Sequence, residues 1–459
     1  MNSNQSLKSW DVVIRAGILI PMDGKVPHLN LNIVPESLYS FDKGIAIEGG
    51  KIVKIDSWKN IQNQLESGQK TRDFVDASHC IVLPGLINAH GHLPMTLLRG
   101  LGDDLPFLQW LNERILPLEG RLVTPEFVKL GTELACLESL QNGVTTVADM
   151  YYFEDEILQA CKKSGIRALL GESVIDYPVP DDLKKDGSCF EIALRTLEAT
   201  RDSQTLHFSI APHAPYSCSD ETLKKVLAFS EKQNCLIQIH VSETEGEVAE
   251  SLKLHKKTPL KRLHDLGLTR RPLLMAHCVH LTDEEIEIAA KHNCAIAHNP
   301  ESNMKLGAGI APLGKFFKAG VTVGLGTDGA ASNNDIGLFG EMDTAAKLQK
   351  LAQKSNTALR AVDALWMATR GGAKALGLEA ITGSIEVGKQ ADIICVSKDF
   401  PHLQPLHDPL SALVYAARGN EVETVFVNGK KLVSDFKCRS IDEQVLFGTL
   451  SDFRKTRQF

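Results

Sequence analysis

Leu83-Pro84-Gly85-Leu86-Ile87-Asn88-Ala89-His90-Gly91-His92 is an apolar run that ends in two histidines separated by one glycine. In an extended strand, residues i and i+2 point to the same side, so both imidazoles can aim at one point and share one ion. Gly91 carries no side chain to crowd that point. The stretch reads as a strand that delivers the first half of a metal site.

Outward from this strand, the middle of the chain alternates. Short apolar runs, each ending in a polar residue, recur with helical stretches between them. The runs are Cys80–Ile87, Val144–Met150, Arg167–Val174, Leu206–Pro212, Cys235–Ile239, Pro272–Ala276, Cys294–Ala297 and Val321–Gly326. Helical candidates between them include Glu126–Gln141, Glu191–Thr200, Thr222–Gln233 and Asp283–His292. Eight such alternations are the count of an α/β fold of the (β/α)8 TIM-like barrel type. A doubly wound open sheet is the alternative that alternation by itself leaves standing. The first connection is long and carries Leu101-Gly102-Asp103-Asp104-Leu105-Pro106, in the kind of loop where a barrel keeps specificity residues.

Both ends have a different texture. Asp11–Ile20, Gly44–Ile47 and Lys51–Ile55 are rich in β-branched residues, and Gly49-Gly50 separates the last two as a hairpin turn. Ala391–Val396 and Val422–Val427 repeat the pattern, and Asn428-Gly429 follows as a strong turn signal. The ends are expected to form one small discontinuous β-sandwich domain. The expected division is 1–79 and 383–459 for that domain and 80–382 for a metal-dependent barrel.

The totals narrow the class. The chain has 459 residues, a net charge of −7, 43% hydrophobic and 23% charged residues, enough for a large core and too few charges for wholesale disorder. Mild acidity argues against a nucleic-acid surface. None of the ten cysteines forms a C-x-x-C pair, and several (Cys136, Cys161, Cys294, Cys395) sit inside apolar runs. This fits a reducing compartment and no disulfide framework. Met1–Trp10 is polar and no apolar run approaches membrane-helix length, so the expectation is a soluble cytoplasmic protein with no membrane partner.

The strand ends carry the chemistry. The first gives His90 and His92, the fourth His213, the fifth His240 followed by Glu243, the sixth His277, the seventh His298 and the eighth Asp328. In a barrel these ends open on one face, where active sites are built. One histidine alone is more often a buried structural group; four or more strands ending in His or Asp at one rim point to a metal. For His298 and His280 the structural and ligand readings stand level. Three histidines and an aspartate suit Zn²⁺ or a similar divalent ion, which makes a bound water acidic enough to act near neutral pH. Glu243, three residues beyond His240, is placed for general acid/base work. Gly324-Leu325-Gly326-Thr327-Asp328-Gly329 fits G-x-G-x-x-G, but it lies on the last barrel strand and its aspartate would repel a pyrophosphate. Deaminases that need P-C-x-x-C are excluded, because the chain has none.

At these residues the sequence resembles the amidohydrolase superfamily, and within it the 5-methylthioadenosine/S-adenosylhomocysteine deaminases. The resemblance rests on Pro84–His92, Met95–Gly100, Ala276–Leu281, His298–Asn303, Leu325–Asn334 and Gly383–Ile393, and it spans nearly the whole chain. It implies one Zn²⁺ per subunit on His90, His92, His240 and Asp328. It further implies that Glu243 shuttles protons to the purine, that His277 orients the attacking hydroxide, and that Asp328 receives its proton while ligating. Glu119 and His213 would contact the nucleoside, Glu119 at the ribose hydroxyls, where a carboxylate accepts well from a diol. Without the resemblance Glu119, in Pro117-Leu118-Glu119-Gly120-Arg121, reads as a solvated loop acid. The implied activity is hydrolytic deamination of an adenine nucleoside to the inosine analogue. The rivals are guanine, pterin or triazine chemistry on the same site, and a non-catalytic scaffold. The third strand ends Gly171-Glu172-Ser173-Val174-Ile175-Asp176 without the arginine some members place there, which favours methylthioadenosine or adenosine over S-adenosylhomocysteine. Lys184 or Lys185 would be the substitute cations. A homo-oligomer, by default a dimer, is expected.

Overall fold

A computed structural model describes residues 9–24, 35–105, 109–177, 180 and 189–456. Lys184 and Lys185 lie outside the described residues, as does Pro106. Eight strands come from the two ends of the chain: β1 (Trp10–Leu19), β2 (Ser40–Glu48), β3 (Lys51–Ser57), β4 (Thr71–Pro84), and, after the central strands, β13 (Ile393–Ser397), β14 (Val422–Val427), β15 (Lys430–Ser434) and β16 (Lys437–Cys438). The central ones are β5 (Leu86–Gly91), β6 (Val144–Tyr151), β7 (Arg167–Val174), β8 (Leu206–Pro212), β9 (Leu236–Val241), β10 (Leu273–His277), β11 (Ala295–His298) and β12 (Thr322–Leu325).

The central strands pair in sequence order, all parallel, from β5 to β12. The seam closes through the backbone: the amides of Thr327 and Asp328 donate to the His90 carbonyl at 3.2 and 3.0 Å. Glycine permits this approach. A Cβ on Gly326 would stand 2.9 Å from the His90 nitrogen and 2.4 Å from Asn299 Oδ1. Gly326 of the G-x-G-x-x-G stretch therefore serves barrel closure. Helices flank the strands. Pro125–Gln141 and Asp283–Lys291 start at Thr124 and Thr282, whose hydroxyls accept from the third helical amide, as N-caps do.

The terminal strands form one mixed sheet, ordered β16-β15-β14-β13-β4-β1-β2-β3. It curls over on itself. The turn at Gly49-Gly50 meets the turn at Asn428-Gly429, a Cβ on Gly429 falling 2.8 Å from the Gly50 Cα. Ile14, Ile45, Ile52, Val82, Ile393 and Phe426 fill the fold so enclosed.

One strand expectation needs correction. Cys80–Ile87 was read as a single barrel strand, but the structure divides it at Gly85. Cys80–Pro84 pairs with β13 in the terminal sheet, and Leu86 begins the barrel. Gly85 makes the passage: its amide donates to the Asp392 carbonyl at 3.0 Å, and a Cβ there would strike Thr145 at 2.1 Å. Both halves are buried, so hydropathy does not mark the break. A second tie between the sheets is Arg167, at the start of β7. Its Nε and Nη2 donate to Asp392 at 2.7 and 3.0 Å, with both side chains fully buried.

Candidate metal centre

Three strand ends converge. Ligand atoms of His90, His92, His240 and Asp328 all lie within 4.8 Å of one another, the arrangement a single ion needs. Asp328 Oδ1 stands 3.2 Å from His92 Nε2 and 3.5 Å from His90 Nε2. The ring centroids of His90 and His240 are 4.9 Å apart, those of His92 and His240 5.3 Å.

The surrounding bonds leave each Nε2 free to ligate. His92 Nδ1 donates to the Met150 carbonyl at 2.6 Å and His240 Nδ1 to the His213 carbonyl at 2.7 Å. These bonds hold a proton on each Nδ1 and turn Nε2 toward the metal position; Asp328 raises His92 to about 9, so there a bound cation would displace a proton. His90 Nε2 is buried without a hydrogen-bond partner, a costly state that a cation relieves. Burial pushes His90 down to about 4 and, with the neighbouring imidazoles, holds His240 well below the ordinary histidine range, so both are neutral as ligands must be. The residues present fit a borderline divalent ion.

Asp328 is held from every side. Its Oδ2 accepts from Ser302 Oγ at 2.7 Å and Ser332 Oγ at 2.8 Å, and its Oδ1 from the Gly329 amide at 2.8 Å. Its backbone is left-handed, φ 62°, as are those of Ser242 (51°) and His277 (69°). Such strain in non-glycine residues clusters at functional sites. Burial works against the Asp328 charge, but the adjacent imidazoles of His90 and His92 hold its carboxyl well below the usual range.

Beside this group stand Glu243 and His277. His277 Nε2 is 3.9 Å from Glu243 Oε2, and its Nδ1 donates to Asn303 Oδ1 at 2.9 Å. Burial raises the Glu243 carboxyl above its ordinary value. Burial would lower His277, but the carboxylates of Glu243 and Asp328 raise it. Both groups are thus shifted toward holding a proton.

His213 lies against His240, ring centroids 5.0 Å apart, and burial lowers it to about 4. Its Nδ1 pairs with Ser217 Oγ at 2.8 Å. Glu119 is not a solvated loop acid. It sits in the helix Leu116–Leu122, only 5% exposed, and accepts from the Tyr151 hydroxyl at 2.5 Å. Burial lifts it to about 7. His280 donates from Nε2 to the Ala308 carbonyl at 2.7 Å and is a structural histidine. His298 is fully buried and outside the four-residue group. Residues the sequence reading missed are Ser302, Asn303, Ser332 and Tyr151. Ser302 and Asn303 were in view beside His298 as part of one motif, whereas Tyr151 gave no signal.

A second cluster, His79, Cys80 and Glu423, brings ligand-type atoms within the same 4.8 Å, but in the terminal sheet. There His79 and Glu423 already satisfy each other at 2.7 Å. Among the described residues, no helix is long and apolar enough to cross a membrane.

Comparison with known proteins agrees with this geometry. Residues 81–432 match the family model described as the amidohydrolase family. A 5-methylthioadenosine/S-adenosylhomocysteine deaminase of Syntrophobacter fumaroxidans is 41% identical over 86% of this chain and 89% of its own. A 5'-deoxyadenosine deaminase of Methanothermobacter thermautotrophicus is 38% identical over 88% of this chain and 93% of its own. Among solved structures, an adenosine deaminase from Xanthomonas campestris with bound zinc superposes with a TM-score of 0.90. It is 36% identical and covers 98% of this chain and 99% of its own.

Proposed function

The chain belongs to the amidohydrolase family, and on that basis we propose that it is a zinc-dependent deaminase of adenine nucleosides, with one Zn²⁺ per subunit. Its substrates are methylthioadenosine and adenosine, and its products the inosine analogue and ammonia. The observation that carries the reading is the convergence of His90, His92, His240 and Asp328 beside a buried Glu243.

A divalent ion in this group supplies a water that ionises near neutral pH. The chain does the rest. Glu243 takes one proton from that water and delivers it to N1 of the purine, which makes C6 electrophilic. His277, whose affinity for a proton the carboxylates of Glu243 and Asp328 raise, donates from Nε2 to the attacking oxygen. Asp328 accepts the second proton of the water. Asp328 would pass that proton to the exocyclic amine, which leaves as ammonia as the C6–N bond breaks, and the oxygen of the water remains on C6. Glu119, positioned by Tyr151, accepts from the ribose hydroxyls, and His213, packed against His240, contacts the nucleoside.

The test is ammonia release from methylthioadenosine, adenosine and S-adenosylhomocysteine side by side, with guanine and a chlorotriazine as rival substrates. The reading expects ammonia from the first two, each with its inosine analogue. Turnover of guanine or the triazine with no adenine nucleoside consumed overturns it.

A further inference from the structure

Glu243 immediately precedes the N-cap of a helix, and the way that helix begins is unusual. Thr244 is its N-cap, accepting from the Glu247 amide at 3.1 Å, and the helix runs Glu245–His255. Thr244-x-x-Glu247 is thus the sequence of a capping box, in which the glutamate returns to the amide of its own N-cap. The same chain shows the ordinary form: Glu285 accepts from the Thr282 amide at 3.0 Å. Glu247 does something else. Its two oxygens reach past Thr244, Oε1 accepting from the Ser242 amide at 2.9 Å and Oε2 from the Glu243 amide at 2.7 Å. The carboxylate is 8% exposed.

Those two amides flank the left-handed Ser242, φ 51°, the kink that turns the chain from β9 and His240 toward the rim. A non-glycine residue keeps such a conformation only where its surroundings hold it. The return of the chain adds one more tie, the His280 amide donating to the Ser242 carbonyl at 3.0 Å. The fork from Glu247 fixes the two peptide planes between the ligand His240 and the acid/base Glu243, and so fixes where the Glu243 carboxylate points.

We infer that Glu247 is a positioning residue, a buried carboxylate that clamps the backbone amides of Ser242 and Glu243 and thereby aims Glu243 at the reacting atoms. This deepens the deaminase reading and rests on it. The clamp needs two acceptor oxygens. A glutamine keeps the shape but presents an N–H to one of the two amides, so Glu247→Gln opens half the fork.

The experiment compares Glu247→Gln, Glu247→Ala, Thr244→Ala and Glu243→Gln with wild type on methylthioadenosine, together with zinc content and Tm. Glu247→Gln is expected to lower kcat roughly 10- to 100-fold with KM changed less than about threefold and zinc retained, the range seen when a residue supporting a reactive group is lost. Glu247→Ala is expected to lower kcat further. Thr244→Ala removes the cap of the same helix and leaves the fork in place. It is expected to lower Tm as the Glu247 variants do while kcat stays at the wild-type value. An unchanged kcat in Glu247→Gln overturns the inference, and so does an equal kcat loss in Thr244→Ala, because helix capping would then account for both. Glu243→Gln separates the two levels: retained turnover there overturns the deaminase reading and this inference together. An inactive Glu243→Gln beside an unimpaired Glu247→Gln overturns this inference alone.

Discussion

Glu243 Oε2 and His277 Nε2 face each other across 3.9 Å, too far for a hydrogen bond and close enough to grip one polar atom between them. Burial keeps the carboxyl of Glu243 ready to hold a proton, and Asn303 fixes the ring of His277. Replacement of Glu243 by glutamine keeps the shape and removes the proton carrier. We expect kcat to fall by at least about 100-fold, within the usual span for a general acid/base, with the zinc content unchanged. Turnover within tenfold of wild type would show that another group moves the proton.

The Tyr151–Glu119 bond makes a substrate-selective prediction. Loss of a hydrogen bond to a charged group costs about 1.5–3 kcal/mol, roughly a 10- to 100-fold rise in KM. Tyr151→Phe and Glu119→Gln should each raise KM for methylthioadenosine. Neither should change KM for 2′,3′-dideoxyadenosine, which lacks the 2′ and 3′ hydroxyls that would donate to Glu119. Equal losses on both substrates would place Glu119 elsewhere than at the sugar.

The pH dependence of KM follows from the same residue. Burial lifts Glu119 to about 7, so it is neutral below that value and ionised above it. An ionised carboxylate accepts from both hydroxyls, so KM for methylthioadenosine should fall as pH rises from about 6 to about 8. The dideoxy analogue should show no such slope. Parallel slopes for the two would contradict the assignment.

Arg167 and Asp392 form a fully buried ion pair at the end of the barrel away from the site. Removing one partner of such a pair leaves a charge without a counterion, at a cost of about 3–5 kcal/mol. Arg167→Met should lower the urea midpoint accordingly, while the kcat of the folded fraction stays at the wild-type value. An unchanged midpoint would show that the Asn428 amide, which donates to Asp392 at 2.7 Å, suffices to hold that carboxylate.

The barrel was legible because its strands are buried on both faces and read as near-continuous apolar runs between amphipathic helices. Leu206–Pro212 and Arg167–Val174 match the expected segments at both ends. The group His90, His92, His240 and Asp328 was legible because each of them lies at or just beyond a strand end. What escaped was set by tertiary contact. The division at Gly85 is silent in hydropathy, since Leu83 and Leu86 are equally buried in different sheets. Glu119 lies in a short segment containing Pro117 and Gly120, and its burial depends on Tyr151, far along the chain. Glu247 carries the signature of a capping box, and only its coordinates show the carboxylate bypassing the cap.

The central claim is that four side chains from three strand ends hold one catalytic cation. Diffraction at the zinc absorption edge from crystals of the purified protein, with His240→Ala as control, tests it most directly. The account predicts a single anomalous peak about 2.0–2.2 Å from His90 Nε2, His92 Nε2, His240 Nε2 and an Asp328 oxygen, absent from the His240→Ala crystals. A peak that survives in His240→Ala, or one found only at the His79, Cys80 and Glu423 cluster, would contradict it.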